Sequence, residues 1–350
     1  MGPGPFFSPP RRKNGPGPNF PEPVSGSPLW WVLIAGCLTP VMLAGCAGQR
    51  PLMMVRVPFS DLRAQPQTTA QPGIHDPLQE TQLLYGERVR VRRVRKGWAQ
   101  VEAVEQPEFT HGRRWQGYPG WLPAAALGPA DPLEPPTIVV TEKWAQTWLD
   151  PYGRASAPWR FPLGARLPAT DMGGELWKVD LFDGTRLWMP RRSAAALEEL
   201  SALPSLNRRL KVVQAAEQLL GDAYYWGGRS PSAPSPLAGV AGVDCSGLVN
   251  LAYRAAGLDI PRDAHEQFLR ARAVDAVDIA DLIFLSTRDD RSTIVHVMLY
   301  AGQGEVIEGP GTGSSVRRIT LQERLGTDVQ RLAPGQVIDG QTIFFGAYLE

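Results

Sequence analysis

Asp244-Cys245-Ser246-Gly247-Leu248-Val249-Asn250-Leu251-Ala252-Tyr253-Arg254-Ala255-Ala256-Gly257 is the stretch on which the reading of this chain turns. It predicts a helix over 244–256, with Asp244 as N-cap and Gly257 at the C′ position. Cys245 then sits in the first turn. There the unpaired N–H groups and the helix dipole favour a thiolate over a thiol.

A reactive thiolate needs a base, and Ile294-Val295-His296-Val297-Met298-Leu299-Tyr300 offers one. Strand alternation puts Val295, Val297 and Leu299 on a buried face, with His296 and Met298 on the other. A three-residue loop centred on Gly302 pairs His296 with Glu308, which would fix the imidazole tautomer. A one-residue slip would turn Glu308 away. Singly, a helical cysteine is more often an inert core residue. The conjunction favours catalysis.

Cysteine counting supports this. The chain has three cysteines, Cys37, Cys46 and Cys245. Arg11, Arg12 and Lys13 precede an apolar run from Leu29 to Ala44, the pattern of a secretory signal peptide over 1–46. The run is short for a membrane span. Its ending, Leu43-Ala44-Gly45-Cys46, resembles the lipobox of bacterial lipoproteins, which implies acylation at Cys46. Ile34-Ala35-Gly36-Cys37 fits the same pattern after a shorter run. A plain signal anchor is the alternative. Cleavage before Cys46 would leave Cys245 as the one free thiol of a secreted chain. Ala47 after the acylated Cys points to an outer membrane in a cell that has one.

Further along, residues 47–75 are rich in Pro, Gln and Thr and read as a flexible tether. Residues 76–131 and 137–200 alternate apolar and polar positions between Gly-rich turns, which predicts two small all-β barrels. The arginines of Val89-Arg90-Val91-Arg92-Arg93-Val94 read as a solvated strand face. From 205 to 350 the pattern is α+β. A helix is expected over 206–220, with Leu206, Leu210, Val213 and Leu220 on its apolar face. Strands are expected at 281–285, 294–300, 305–308, 315–319 and 342–349.

Tyr224-Tyr225-Trp226-Gly227-Gly228-Arg229-Ser230-Pro231, Asp244-Cys245-Ser246-Gly247-Leu248-Val249, Ile260-Pro261-Arg262-Asp263, Asp281-Leu282-Ile283-Phe284 and His296-Val297-Met298-Leu299-Tyr300 follow one another in order. This series resembles the NlpC-type family of papain-like cell-wall cysteine peptidases over roughly 110 residues. The two β segments resemble the bacterial SH3-like modules found beside such enzymes, the first better than the second. The resemblance implies a papain-like catalytic domain of helices on an antiparallel sheet, preceded by two SH3-like barrels. It implies cleavage of peptidoglycan stems between D-iso-glutamate and a diamino acid, through an acyl-enzyme on Cys245. The Cys245 N–H is a natural oxyanion donor.

A narrower branch, the γ-D-glutamyl-L-diamino acid endopeptidases, acts on stems with a free L-Ala amine. Similarity to it implies that Asp244 and Tyr224 hold the amine and that Ser246 and Trp226 line the pocket. Glu87 and Tyr118 of the first module would close it. Asp244 also reads as a plain N-cap, and Tyr118 as barrel core. Three features depart from the family pattern: Glu308 where His, Asn or Gln is usual, Met298 and Ala280 where Gly is usual, and an added loop over 232–241.

Composition narrows the other options. The 36 Lys and Arg nearly cancel the 35 Asp and Glu, which gives no footprint for nucleic acid. His75, His111, His265 and His296 lack metal-ligand spacing, so neither metal nor cofactor is expected. The expected partners are stem peptides or muropeptides and, through the lipid anchor, a membrane. The chain is expected to be a monomer in the cell envelope. A non-catalytic wall-binding lipoprotein is the competing reading from another class. Amidase or acyltransferase chemistry on the same thiolate is the competing enzymatic one.

Overall fold

The computed structural model describes residues 52–69, 75–130, 135–233 and 241–350. The signal peptide and Cys46 lie outside the described residues.

The first module is an antiparallel sheet of β1 (Leu52–Val55), β2 (Phe59–Arg63), β3 (Gln79–Leu84), β4 (Arg88–Arg95), β5 (Trp98–Glu108), β6 (Gln116–Pro123) and β7 (Leu127–Pro129). Their spatial order is β3-β2-β6-β5-β4-β1-β7. It begins earlier than expected. β1 and β2 fall inside the segment read as tether, and that reading is corrected. Met54, Val55 and Leu62 are buried, and the gain from covering them outweighs the loop-like composition that follows. Along β4, Val89 and Val91 enter the core while Arg88, Arg90 and Arg92 face outward.

The second module comprises β8 (Ile138–Val140), β9 (Trp144–Trp148), β10 (Ser156–Pro162), β11 (Arg166–Leu167), β12 (Ala169–Asp171), β13 (Leu176–Asp180), β14 (Arg186–Pro190) and β15 (Ala194–Ala196). They form sheets ordered β10-β9-β14-β13-β12 and β11-β8-β15. Tyr85 of the first module is inserted into this core, stacked on Phe182 and edge-on to Phe161.

The remaining chain opens with α1 (Leu197–Ala202) and α2 (Ser205–Glu217). α2 buries a face rotated from the one predicted, with Val213 common to both. Leu206 and Leu210 are exposed. The buried residues are Arg209, Val212, Val213, Ala215 and Ala216. Arg209 explains the rotation. Its guanidinium pairs with Asp281 at 2.7 Å and donates to the carbonyls of Ile279 and Leu349. A charged residue so well partnered is buried at little net cost.

Next come β16 (Arg229–Ser230), β17 (Gly242–Val243), α3 (Cys245–Ala255) and α4 (Ala264–Arg270). Then follow β18 (Arg272–Ala273), β19 (Leu282–Ser286), β20 (Ile294–Gly302), β21 (Glu305–Glu308), β22 (Arg317–Thr320), α5 (Leu321–Leu325), β23 (Val337–Ile338) and β24 (Gln341–Ala347). The sheet runs β18-β24-β19-β20-β21-β22, with β23 paired to β24. α3 is buried along its whole length and shares one core with Val297 and Leu299 of β20. Met298 and Tyr300 belong to the core on the other side. Met298 therefore fills that second core. Ala280 adopts φ +68°, the left-handed region that a Gly enters freely.

The first module is bound to the remaining chain by buried charges. Glu87 lies 2.6 Å from Arg229 and 3.5 Å from Arg254, and all three are essentially inaccessible. Arg254 also reaches Glu105 at 2.8 Å and the Gly164 carbonyl at 3.0 Å. Removing one member of such a network strands the others in low dielectric. Glu87→Gln should cost about 3–5 kcal/mol of unfolding free energy, read as a lower urea midpoint at constant slope. An unchanged midpoint would show that the network is redundant.

Candidate active site

Cys245 occupies the first position of α3, as predicted, and Asp244 is the N-cap. The Asp244 carboxylate is fully engaged. One oxygen accepts from Gly247 N–H at 2.6 Å and from Arg262 at 3.0 Å. The other accepts from Gly227 N–H at 2.9 Å and from Arg262 at 2.8 Å. The N-cap alternative therefore describes Asp244, and no lone pair is left facing a ligand. Ser246 is likewise buried, donating to Asp244 and accepting from Arg262 at 2.9 Å. Both side chains seat the helix start.

The glycines of these motifs have steric causes. Gly227 sits at φ +72°, where a Cβ would lie 2.8 Å from the Gln79 side chain. At Gly247 a Cβ would collide with the Gly228 carbonyl oxygen. The loop before α3 and the first module thus approach closer than any side chain allows.

His296 lies close enough to Cys245 to feel its charge. Its imidazole Nε2 is 2.7 Å from Glu308 Oε2. The predicted contact exists, but the predicted register does not. Leu299 faces Ile307 and Tyr300 faces Val306, with an irregularity before the Gly302–Glu305 pair. That register sets Glu308 level with Met298, two residues from the expected position. Two is an even shift, so the side chain keeps its face and reaches His296 diagonally. A second irregularity, where Leu285 pairs with His296 and Ser286 with Ile294, ejects Val295. Val295 is exposed, against expectation, and Ile294 takes its place in the core.

Glu308 is wholly buried, yet held by two cations that the sequence reading missed. Arg317 donates to Oε1 at 3.1 and 2.7 Å, and Arg324 Nε lies 3.0 Å from each oxygen. Although burial opposes its charge, the hydrogen bond to His296 and the surrounding positive charge hold Glu308 well below the usual carboxylate range. Burial also opposes the charge on His296. The hydrogen bonds to Cys245 and Glu308 and their negative charge outweigh it, raising the imidazolium to about 9.

Of the other predicted pocket residues, Tyr224 lies against Asp244 and Cys245, and their charges together with burial raise its phenol far above its ordinary range. It remains a donor at every working pH. Trp226 is half exposed beside His75. Tyr118 is buried but donates to Asp263 Oδ2 at 3.0 Å. Glu87 is a correction. It is enclosed by Arg229, Arg254 and Gln106 and cannot meet a ligand. Glu80, seven residues earlier on β3, is partly exposed instead, 3.6 Å from His111 and close enough to perturb Tyr118. Asp263 is a further missed acid. Burial, Glu266 and Asp244 raise it to about 7 against the opposing pull of Arg262 and the Tyr118 hydrogen bond.

The added loop is tied down at its start, with Ser232 N–H on Asp222 and Ser232 O accepting from Trp144 at 2.9 Å. Residues 234–240 lie outside the described residues. Among the described residues no group of His, Cys, Asp or Glu could hold a metal ion.

A thiol at a helix start, an imidazole beside it and an anion behind the imidazole define a thiol hydrolase site on a papain-like fold. Residues 221–331 match the NlpC/P60 family. It is similar to a "Gamma-D-glutamyl-L-lysine dipeptidyl-peptidase" of Bacillus cereus, 28% identical over 69% of this chain and 70% of the relative. A Bacillus subtilis protein of the same name is 29% identical over 71% and 78%. A crystal structure of an NlpC/P60 family protein from Bacillus cereus superposes with a TM-score of 0.65 at 23% identity, covering 85% of this chain and all of that one.

The raised imidazolium makes a signed prediction. His296 stays protonated below about pH 9 and loses its proton above it, so the alkaline limb of kcat/KM should lie near there. Glu308→Gln removes a charge that holds the proton and should move that limb to lower pH. A limb that does not move would contradict the role of Glu308.

Proposed function

We propose that this protein is a cysteine endopeptidase that hydrolyses peptidoglycan stem peptides at the γ-D-glutamyl–diamino acid bond, preferring stems with a free L-Ala amine. The observation that carries it is the line Cys245–His296–Glu308, with Tyr118 bonded to Asp263 and Glu80 near Tyr118. The names of the Bacillus relatives support the choice of bond.

The thiolate attacks the γ-carbonyl carbon, forming a C–S bond while the oxygen takes the π electrons. The Cys245 N–H, which has no intrahelical acceptor, and the Tyr224 hydroxyl are the donors for that oxyanion. The His296 imidazolium gives its proton to the departing diamino-acid amine as the C–N bond breaks. Water then attacks the thioester, losing its proton to His296. Collapse of this second intermediate breaks the C–S bond and frees the acid, which loses its proton to solvent, and the Cys245 thiolate is restored beside the His296 imidazolium.

An ammonium placed between Glu80 and Asp263 acts as a length ruler, because a stem still joined to glycan lacks a free amine there. Asp263 is ionised above about pH 7, so this contact strengthens as pH rises through that value. The two β modules are SH3-like, and the first supplies Tyr118 and Glu80. Upstream, Leu43-Ala44-Gly45-Cys46 supports a lipid anchor at Cys46 and action at the cell envelope. No helix among the described residues is long and apolar enough to cross a membrane. The enzyme works as a monomer.

The test is digestion of the L-Ala-γ-D-Glu-diamino acid tripeptide and its N-acetyl form, read by mass spectrometry. Cys245→Ala should abolish cleavage by several orders of magnitude; equal activity would reject a peptidase. The free amine should be favoured by at least about tenfold in kcat/KM. Glu80→Gln should raise KM for the free tripeptide while leaving the N-acetyl form unaffected. Equal rates for both peptides in the wild type would reject the amine ruler.

A further inference from the structure

We propose that Arg324 and Arg317 are positioning residues that act on His296 through Glu308, holding the carboxylate in place and limiting how firmly it retains the imidazolium proton. The inference rests on the reading of Cys245, His296 and Glu308 as the catalytic line.

A buried carboxylate facing an imidazolium alone would bind that proton so firmly that His296 would be a poor acid toward a leaving amine. Here the carboxylate is shared. Arg317 stands directly across the ladder from Glu308 and donates twice to Oε1. Arg324 projects from α5 and its Nε lies 3.0 Å from both oxygens. The Arg324 side chain is largely covered while that of Arg317 is nearly half exposed. Arg324 therefore carries the larger, less screened share.

Its placement is built by local sequence. Thr320 and Glu323 form a capping box that starts α5 at the end of β22, and Gly326 ends it in the left-handed region. The segment from Arg317 to Arg324 thus delivers both guanidinium groups to one carboxylate. The charged or titratable groups facing this line are Cys245, Asp244 and Arg262 around the thiol, Tyr224 beside it, and Arg317 and Arg324 behind Glu308. Among the described residues, none of the others is hydrogen-bonded to Glu308. A neutral orienter would need no such clamp, so the two arginines accompany the carboxylate as its charge balance.

The experiment is the pH profile of kcat/KM on the tripeptide, with carboxamidomethylation of Cys245 followed by peptide mapping, in the full chain. Arg324→Met should move the alkaline limb upward by roughly half a pH unit or more, because an unshared Glu308 holds the proton harder. Arg324→Lys, which keeps the charge, should bring the limb back toward the wild-type position. In a Glu308→Gln background Arg324→Met should leave the limb where Glu308→Gln alone puts it. Equal loss of rate at every pH with a fixed limb would overturn the proposal, as would an equal shift in both backgrounds. If Arg324→Met does not fold, Arg317→Met carries the same sign with a smaller shift. An unmoved Glu308→Gln profile would instead fail the catalytic reading itself.

Discussion

Arg262 and Asp244 form the ion pair on which the site depends. The guanidinium is fully enclosed, 2.8 and 3.0 Å from the two carboxylate oxygens. It also donates to Ser246 Oγ, the Gly228 carbonyl and Thr81 Oγ1 of the first module. A buried pair with unmet donors would cost more than it returns. This one has a partner on every side, so it can fix three things at once. It seats the start of α3, which carries Cys245. It closes the Tyr224–Arg229 loop over that start. It ties the β3 strand, through Thr81, to the start of α3.

The same logic recurs elsewhere in the fold. Arg209 with Asp281, Arg254 with Glu87 and Glu105, and Arg324 with Glu308 all place a charged group where an apolar one would pack. Each sits where two elements must meet in a set orientation: α2 on the sheet, the first module on α3, and α5 behind the imidazole. Charge pairing supplies direction that apolar contact lacks. At the His296 end it also adjusts chemistry, since the imidazolium proton is held by a carboxylate whose own charge is shared.

Much of this was legible in the sequence, and the failures have physical causes. The α3 boundaries came from Asp244 and Gly257, because caps act locally. Glu308 was found through strand parity although its register was displaced by two, since irregularities at Ala301 and Val295 are invisible to alternation alone. Glu87 was misplaced for the opposite reason. Its motif looked right, but its role depends on Arg229 and Arg254, which are distant in sequence and opposite in charge. Leu206 and Leu210 were assigned to the core because periodicity counts apolar residues and cannot foresee a buried arginine. Arg317 and Arg324 went unnoticed, although Thr320, Glu323 and Gly326 were enough to mark α5.

The most direct test of the account is to alkylate the protein with increasing iodoacetamide, map the modified peptides, and plot remaining tripeptide hydrolysis against carboxamidomethylation at Cys245. Activity should fall in proportion to modification at Cys245 and reach zero when that thiol is fully capped, with substrate slowing the reaction. Complete modification of Cys245 with hydrolysis intact would contradict the central claim.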